Sequence, residues 1–187
     1  MDKTYRDEFY RLFVIDRLPG SVTPADAHLQ IYDNYVSETR LRFRRTRVPG
    51  SRDWKYVLQQ RIGGSGHFRV SEIVLDDAEY RALGAFEGNE IRKNRYFAEL
   101  DDVAFEFDLF LGPLAGLITA RTVFAAAGSR DDLEIPFAAI EVTDDPAFDG
   151  SNLYRSDFAS IRSAVKADAD AIHAHLTRIG EIAGENE

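Results

Sequence analysis

Apolar and polar residues alternate along most of this chain with a period of two, the spacing of strands rather than helices. Phe9 to Ile15 is apolar and β-prone and stops at Asp16 and Pro19-Gly20. After a polar connection over Ser21 to His28, Leu29 to Tyr35 resumes an extended pattern, and Thr39 to Arg47 follows. The turn Val48-Pro49-Gly50-Ser51-Arg52-Asp53 leads into a returning strand over Trp54 to Ile62, so 39–62 reads as a hairpin with Trp54 packed against it. Gly63-Gly64-Ser65-Gly66 lacks the Lys-Ser/Thr of a phosphate loop and precedes another strand, His67 to Leu75, so it too reads as a hairpin turn.

Asp76 has the composition and place of a helix cap, and predicts a short helix over Asp77 to Leu83, ended by Gly84 and Gly88. Three further strands are expected over Glu90 to Leu100, Val103 to Phe110 and Ala115 to Ala125. In the second of these, Phe105, Phe107 and Leu109 share one face, and Glu106 and Asp108 the other. Asp131 to Glu141 is expected as a further short helix or strand. Ser156 to Ala183 carries the one long helical pattern, with Phe158, Ile161, Val165, Ala169, Ile172, Leu176 and Ile179 at helical spacing. That helix is expected to dock on the barrel, with a homodimer interface as the second possibility. Many hairpins and few helices predict an all-β barrel, or an α+β domain built around one.

Charge adds a second pattern. The chain of 187 residues carries a net charge of -9, yet Arg40, Arg42 and Arg44 alternate onto one strand face, and Lys93 and Arg95 repeat the arrangement. Like charges that close repel, so either acids lie nearby on a solvated face or the face recognises a polyanion through guanidinium forks. The acidic balance argues against general affinity for duplex nucleic acid. There is no cysteine, which excludes disulfides and thiolate chemistry. The charged stretch Met1 to Glu8 and the lack of an apolar run of membrane-spanning length lead to the expectation of a soluble, cytoplasmic protein without a membrane partner. His173 and His175 are two apart on a predicted helix, which does not place them on one face as a metal pair, and His28 and His67 show no ligand spacing.

The order of the pieces resembles the CYTH family, the triphosphate tunnel metalloenzymes. Ile91-Arg92-Lys93-Asn94-Arg95-Tyr96 resembles its I-x-K-T-R-Y strand, and Phe105-Glu106-Phe107-Asp108-Leu109-Phe110 its W-E-x-D-x-F strand. Gly112-Pro113-Leu114-Ala115-Gly116-Leu117 resembles the following turn, and Glu141-Val142-Thr143-Asp144-Asp145-Pro146 with Ser151-Asn152-Leu153 the closing segment. Leu41-Arg42-Phe43-Arg44, Leu58-Gln59-Gln60-Arg61 and Ile73 to Tyr80 fit corresponding pieces of the first half. The likeness runs from about residue 5 to 155. It implies an α+β fold dominated by an antiparallel eight-stranded β-tunnel over 1–155, with the long C-terminal helix over 156–187 packed on the same domain.

The resemblance also implies a lumen in which cations hold a triphosphate and carboxylates hold Mg²⁺ or Mn²⁺. It carries over Arg42, Arg44, Arg61, Lys93 and Arg95 as ligand-binding candidates. The family's acidic positions are degenerate here. Its first-strand E-x-E-x-K falls on Glu8, Tyr10 and Leu12, and its last-strand A-E-x-E on Ala120-Arg121-Thr122-Val123. Arg121 therefore adds a candidate cation, and Tyr10 is a lumen-facing hydroxyl or simply a packed ring. Glu8, Glu106, Asp108 and Glu72 remain as weaker candidates for catalysis or metal. The implied ligand is a phosphate-rich small molecule or nucleotide, bound in a more cationic cavity, with weak or lost catalysis and no certain cofactor. The alternatives are a Mg²⁺- or Mn²⁺-dependent triphosphatase acting on inorganic, nucleoside or thiamine triphosphate, and a scaffold repurposed for another ligand or a protein partner, its charges paired among themselves.

Overall fold

The computed structural model describes residues 5–84, 90–127, 133–137, 139–163 and 165. Eight strands form one antiparallel sheet that closes on itself: β1 (Tyr5–Val14), β2 (Leu29–Tyr35), β3 (Leu41–Arg47), β4 (Lys55–Gly64), β5 (His67–Leu75), β6 (Glu90–Leu100), β7 (Val103–Leu111) and β8 (Ile118–Phe124). Their order is β5-β4-β3-β2-β6-β7-β8-β1, and pairing of Tyr5 to Phe9 with Ser71 to His67 joins β1 back to β5. Closure removes the edges that an open sheet exposes. Where β1 runs past β5, the short strand β9 (Ile140–Glu141) pairs with Phe13 and Val14. The expected strands are all present, with ends shifted by a few residues; β1 starts earlier than its apolar run because Tyr5 to Glu8 pair with β5.

Local chemistry sets the turns. Asp101 and Asp102 both adopt positive φ (48° and 63°) in the two-residue connection from β6 to β7, a conformation Asp tolerates. Ser65 and Gly66 do the same between β4 and β5 (50° and 77°), which confirms the hairpin turn. The helix α1 (Asp77–Ala82) starts at Asp76, whose carboxylate accepts the Glu79 backbone N–H while the Glu79 side chain accepts that of Asp76.

The barrel is apolar on much of its outside and charged within. Phe13, Tyr96, Phe105, Phe107 and Ala120 are buried on the outer faces of β1, β6, β7 and β8, under Ile15, Leu18, Val22, Ile135 and Phe137. A second apolar cluster fills one end of the lumen: Tyr35, Ile91, Phe110, Leu114 and Leu117 pack against Val142, Phe148, Leu153 and Ile161. Those last residues follow β9 through two short turns of helix, capped by Asp145 and Asp149. Arg11 ties this return to the barrel through Glu141 (2.7 and 3.1 Å) and the Leu133 carbonyl (2.7 Å).

The expected long C-terminal helix lies for the most part outside the described residues, as do His173 and His175; residues 158–163 are helical. Of the expected element over Asp131 to Glu141, the described part contains the strand β9. Among the described residues no helix is long and apolar enough to cross a membrane.

Gly150 shows how tightly the closing segment is seated. A Cβ there would meet Tyr35 Oη at 1.8 Å and Cζ at 2.3 Å. Tyr35 is buried, stacked on Tyr154 and bonded to Arg42, so it has little room to yield. Gly150→Ala is expected to reduce stability by about 1–3 kcal/mol. Chemical denaturation should show a lower midpoint at unchanged slope; an unchanged midpoint would mean that Tyr35 moves aside freely.

Candidate functional site: a lumen of paired charges

A cavity of about 640 Å³ occupies the lumen beyond the apolar plug and reaches solvent beside the exposed Arg6 and Arg40. Strand alternation aims Arg42 and Arg44 of β3, Arg61 of β4, Lys93 and Arg95 of β6 and Arg121 of β8 into it, with Glu8 and Tyr10 of β1 and Glu106 and Asp108 of β7. The residues singled out from the sequence for binding or metal thus border one space, except Glu72, which lies outside it. Arg40 is a partial exception to its pattern: β3 begins at Leu41, and Arg40 sits exposed at the rim.

The strands bring six cations into the lumen, Arg42, Arg44, Arg61, Lys93, Arg95 and Arg121, against four carboxylates, Glu8, Asp33, Glu106 and Asp108. Most of the cations are nonetheless paired. Asp33, which the sequence reading passed over, is 1% exposed and holds two arginines at once. Arg44 donates Nε and Nη2 to its two oxygens (2.5 and 2.7 Å), and Arg42 Nη1 lies 3.4 Å away. Burial alone would raise the Asp33 pKa, but Arg42 and Arg44 overcome it and hold the group far below the ordinary carboxylate range. Asp108 does the same for β6: Arg95 forks onto it at 2.7 Å on both oxygens, and Lys93 donates at 2.6 Å. Its pKa is likewise far below normal, because Arg95 and Lys93 outweigh desolvation. The signal for Asp33 was present: it alternates with Ile31 and Tyr35 on the inner face of a strand, and a lone acid there needs partners.

Arg121 is also engaged. Its Nη2 donates to Glu8 (2.9 Å) and its Nη1 to Glu106 (3.1 Å), while Arg95 Nη1 reaches the same Glu106 oxygen (2.7 Å). Arg6 holds the other Glu8 oxygen at 2.9 Å. Desolvation would raise the Glu8 pKa, but Arg121 and Arg6 lower it. Glu72 is taken up by the Gln59 amide, and Gln59 in turn accepts from Arg42 Nε at 2.6 Å. Tyr10 is packed: its ring stacks on Phe68 (5.6 Å between centroids) beneath the Arg121 guanidinium, and burial raises its pKa.

These contacts bear on whether the lumen can hold a metal. Hard divalent cations need several oxygen ligands with lone pairs to spare. Here Glu8, Glu106 and Asp108 already neutralise guanidinium or ammonium groups, and among the described residues no group of three or more His, Asp or Glu side chains is placed to hold an ion. The donor set does not fit Mg²⁺ or Mn²⁺.

Arg61 stands apart. Among the described residues it approaches one carboxylate, Asp149, and that at 3.9 Å. Its Nε is buried without a hydrogen-bond partner, and its guanidinium lies 3.7 Å from the Phe68 ring centroid. Burial, reinforced by the neighbouring Arg42, pushes its pKa down to about 10. Lys93, though paired, is pushed down to about 8 by burial, against the pull of Asp108.

Asp33 is expected to be the residue on which the site's stability most depends. Asp33→Asn leaves Arg42 and Arg44 without their shared carboxylate, and breaking a buried pair in this way typically costs about 3–5 kcal/mol. The folded-state pKa values of Asp33 and Asp108 lie below the unfolded value of about 3.9, so their stabilisation is complete above that pH and is lost as pH falls below it. Urea titrations across the acid range should show that decline in the natural protein and a shallower one in Asp33→Asn.

No protein-family profile matches the chain, and no curated protein matches it. Solved structures do. Two structures of NE1496, one described as a hypothetical protein and the other as an inorganic triphosphatase, superpose with a TM-score of 0.54 at 22% identity. They cover 80% of this chain and 99% and 95% of those chains respectively. HpAC1 from Hippeastrum, a protein with a dominant triphosphatase activity, is more distant at 12% identity and TM-score 0.42, over 66% of this chain and 81% of that one. The likeness to NE1496 shows that this chain shares its fold, which here is an antiparallel barrel around a charged lumen.

Proposed function

We propose that the lumen binds a triphosphate-type or other phosphate-rich anion, in a small molecule or nucleotide, without needing a divalent metal and with weak or lost catalysis. The observation that carries this reading is Arg61, a largely buried guanidinium with an unpartnered Nε and no carboxylate within hydrogen-bonding distance among the described residues. A buried cation left in that state is unfavourable unless an anion completes it. The neighbouring pairs support the role. Asp33 and Asp108 act as struts that orient the forks of Arg44 and Arg95, and they leave two ammonium protons of Lys93 for further acceptors. The tunnel fold shared with NE1496, whose structure is described as an inorganic triphosphatase, supports a triphosphate as the anion class.

The same contacts support weak catalysis. Phosphoryl transfer to water needs a group that orients the nucleophile and a cation that takes up developing charge. The strand carboxylates of the lumen, Glu8, Asp33, Glu106 and Asp108, are each ion-paired, which makes these four poor bases.

Calorimetry with inorganic triphosphate in EDTA tests the reading. Binding should persist, and Arg61→Gln should weaken it roughly tenfold or more, the effect of losing one or more charged hydrogen bonds. Binding that vanishes in EDTA would instead favour a metal-dependent triphosphatase, and no binding in either condition a repurposed scaffold.

Sulfate, a dianion throughout the neutral and alkaline range, isolates the protein's own titration. Lys93 is charged below pH about 8 and loses its proton above it, so sulfate affinity should begin to fall there. Lys93→Arg should remove that fall. A flat profile in the natural protein would mean that Lys93 does not face the anion.

A further inference from the structure

We propose that Arg121 is a built-in counter-cation: its guanidinium bridges Glu8 and Glu106 in the place a divalent ion would otherwise take, and excludes one. This deepens the reading of a metal-independent anion tunnel and rests on it.

The geometry is that of a bridge rather than a fork. An arginine that serves one carboxylate presents two nitrogens to its two oxygens, as Arg44 does to Asp33; Arg95 forks onto Asp108 in the same way and reaches Glu106 only with its third nitrogen. Arg121 instead splits its nitrogens between two carboxylates on different strands, Nη2 to Glu8 of β1 at 2.9 Å and Nη1 to Glu106 of β7 at 3.1 Å. The register allows this, because β8 lies between β7 and β1 and Arg121 sits directly opposite Glu106 on one side and Leu12 on the other. The guanidinium plane is supported from below by Tyr10, 4.9 Å from its ring centroid, and Tyr10 by Phe68. It cannot swing away without leaving two largely buried carboxylates against each other, with only Arg6 and Arg95 to offset them.

Two carboxylates held on opposite sides of one cation form a site whose occupant is covalently attached. A bound metal contributes a higher charge and open coordination positions, which orient water and polarise phosphate. A guanidinium contributes one charge, fixed donors and no open coordination. Substituting one for the other keeps the wall neutral enough for an anion to approach, and removes the part that activates water.

The test uses Mn²⁺ alone, read by electron paramagnetic resonance on the full chain without any anion. The natural protein is expected to bind no Mn²⁺ in the lumen. Arg121→Glu places a third carboxylate opposite Glu106 and is expected to bind it, with half-saturation at least about tenfold below any weak Mn²⁺ association of the natural protein elsewhere on its surface. Adding Glu8→Gln and Glu106→Gln to that variant should abolish the gain. If Arg121→Glu does not fold by circular dichroism, Arg121→Gln opens the same pair with less repulsion and is expected to show a smaller gain. Stoichiometric Mn²⁺ binding by the natural protein that is lost in Glu106→Gln would overturn the proposal, as would a folded Arg121→Glu variant with no gain. The two failures are separable from that of the underlying reading. Anion binding in EDTA with no Mn²⁺ gain in the variants removes the role of Arg121 alone, whereas anion binding that requires Mn²⁺ removes both.

Discussion

A closed barrel that turns arginines inward must neutralise them from within, and this constraint fixes the register of the sheet. Arg44 lies directly opposite Asp33 across β3 and β2, Arg95 opposite Asp108 across β6 and β7, and Arg121 opposite Glu106 across β8 and β7. Each ion pair is therefore also a cross-strand pair. Sliding any of these strands by one residue would send its cation to the outside and leave a buried carboxylate alone. Pairing and electrostatics select the same alignment, so the lumen and the sheet define each other.

The outer face completes the arrangement. Because the inner positions of β6, β7 and β8 are spent on charge, the apolar positions of the same strands, Tyr96, Phe105, Phe107 and Ala120, face outward and need cover. Ile15 to Val22 and the stretch around Ile135 and Phe137 supply it. The strict alternation of Phe105, Glu106, Phe107 and Asp108 records both demands in four residues.

Much of this was legible in the sequence. Alternation located the strands and placed Arg42 with Arg44, Lys93 with Arg95 and Glu106 with Asp108, because a two-residue period leaves no other choice of face. The hairpin at Gly63 to Gly66 and the cap at Asp76 followed from turn and capping chemistry. What stayed hidden were properties of strands distant in sequence. Asp33 and Arg44 are opposed across strands, and Glu8 meets Arg121 from the far end of the chain. Without that register the cations could be counted but not matched to their acids. Arg61 shows the same limit in reverse: among the described residues its one carboxylate neighbour, Asp149 at 3.9 Å, comes from the closing segment far along the chain.

The two ends of the lumen make a further point about why charge is kept there. At one end the fold fills its interior with Phe110, Leu114, Leu117, Phe148 and Leu153, a conventional apolar plug. A few residues along the same strands it switches to Lys93, Arg95 and Asp108. Buried ion pairs contribute little net stability against apolar residues of similar volume, and often less than nothing. The barrel evidently accommodates an apolar filling, so stability does not account for the charged half. Nor do the pairs account for one another, since among the described residues Arg61 has no acceptor for its Nε. Most of the cations are braced by carboxylates and so hold their geometry, while Arg61 lies 3.9 Å from Asp149 and over the Phe68 ring; on the proposed reading, a lumen braced in this way is preorganised for a visiting anion.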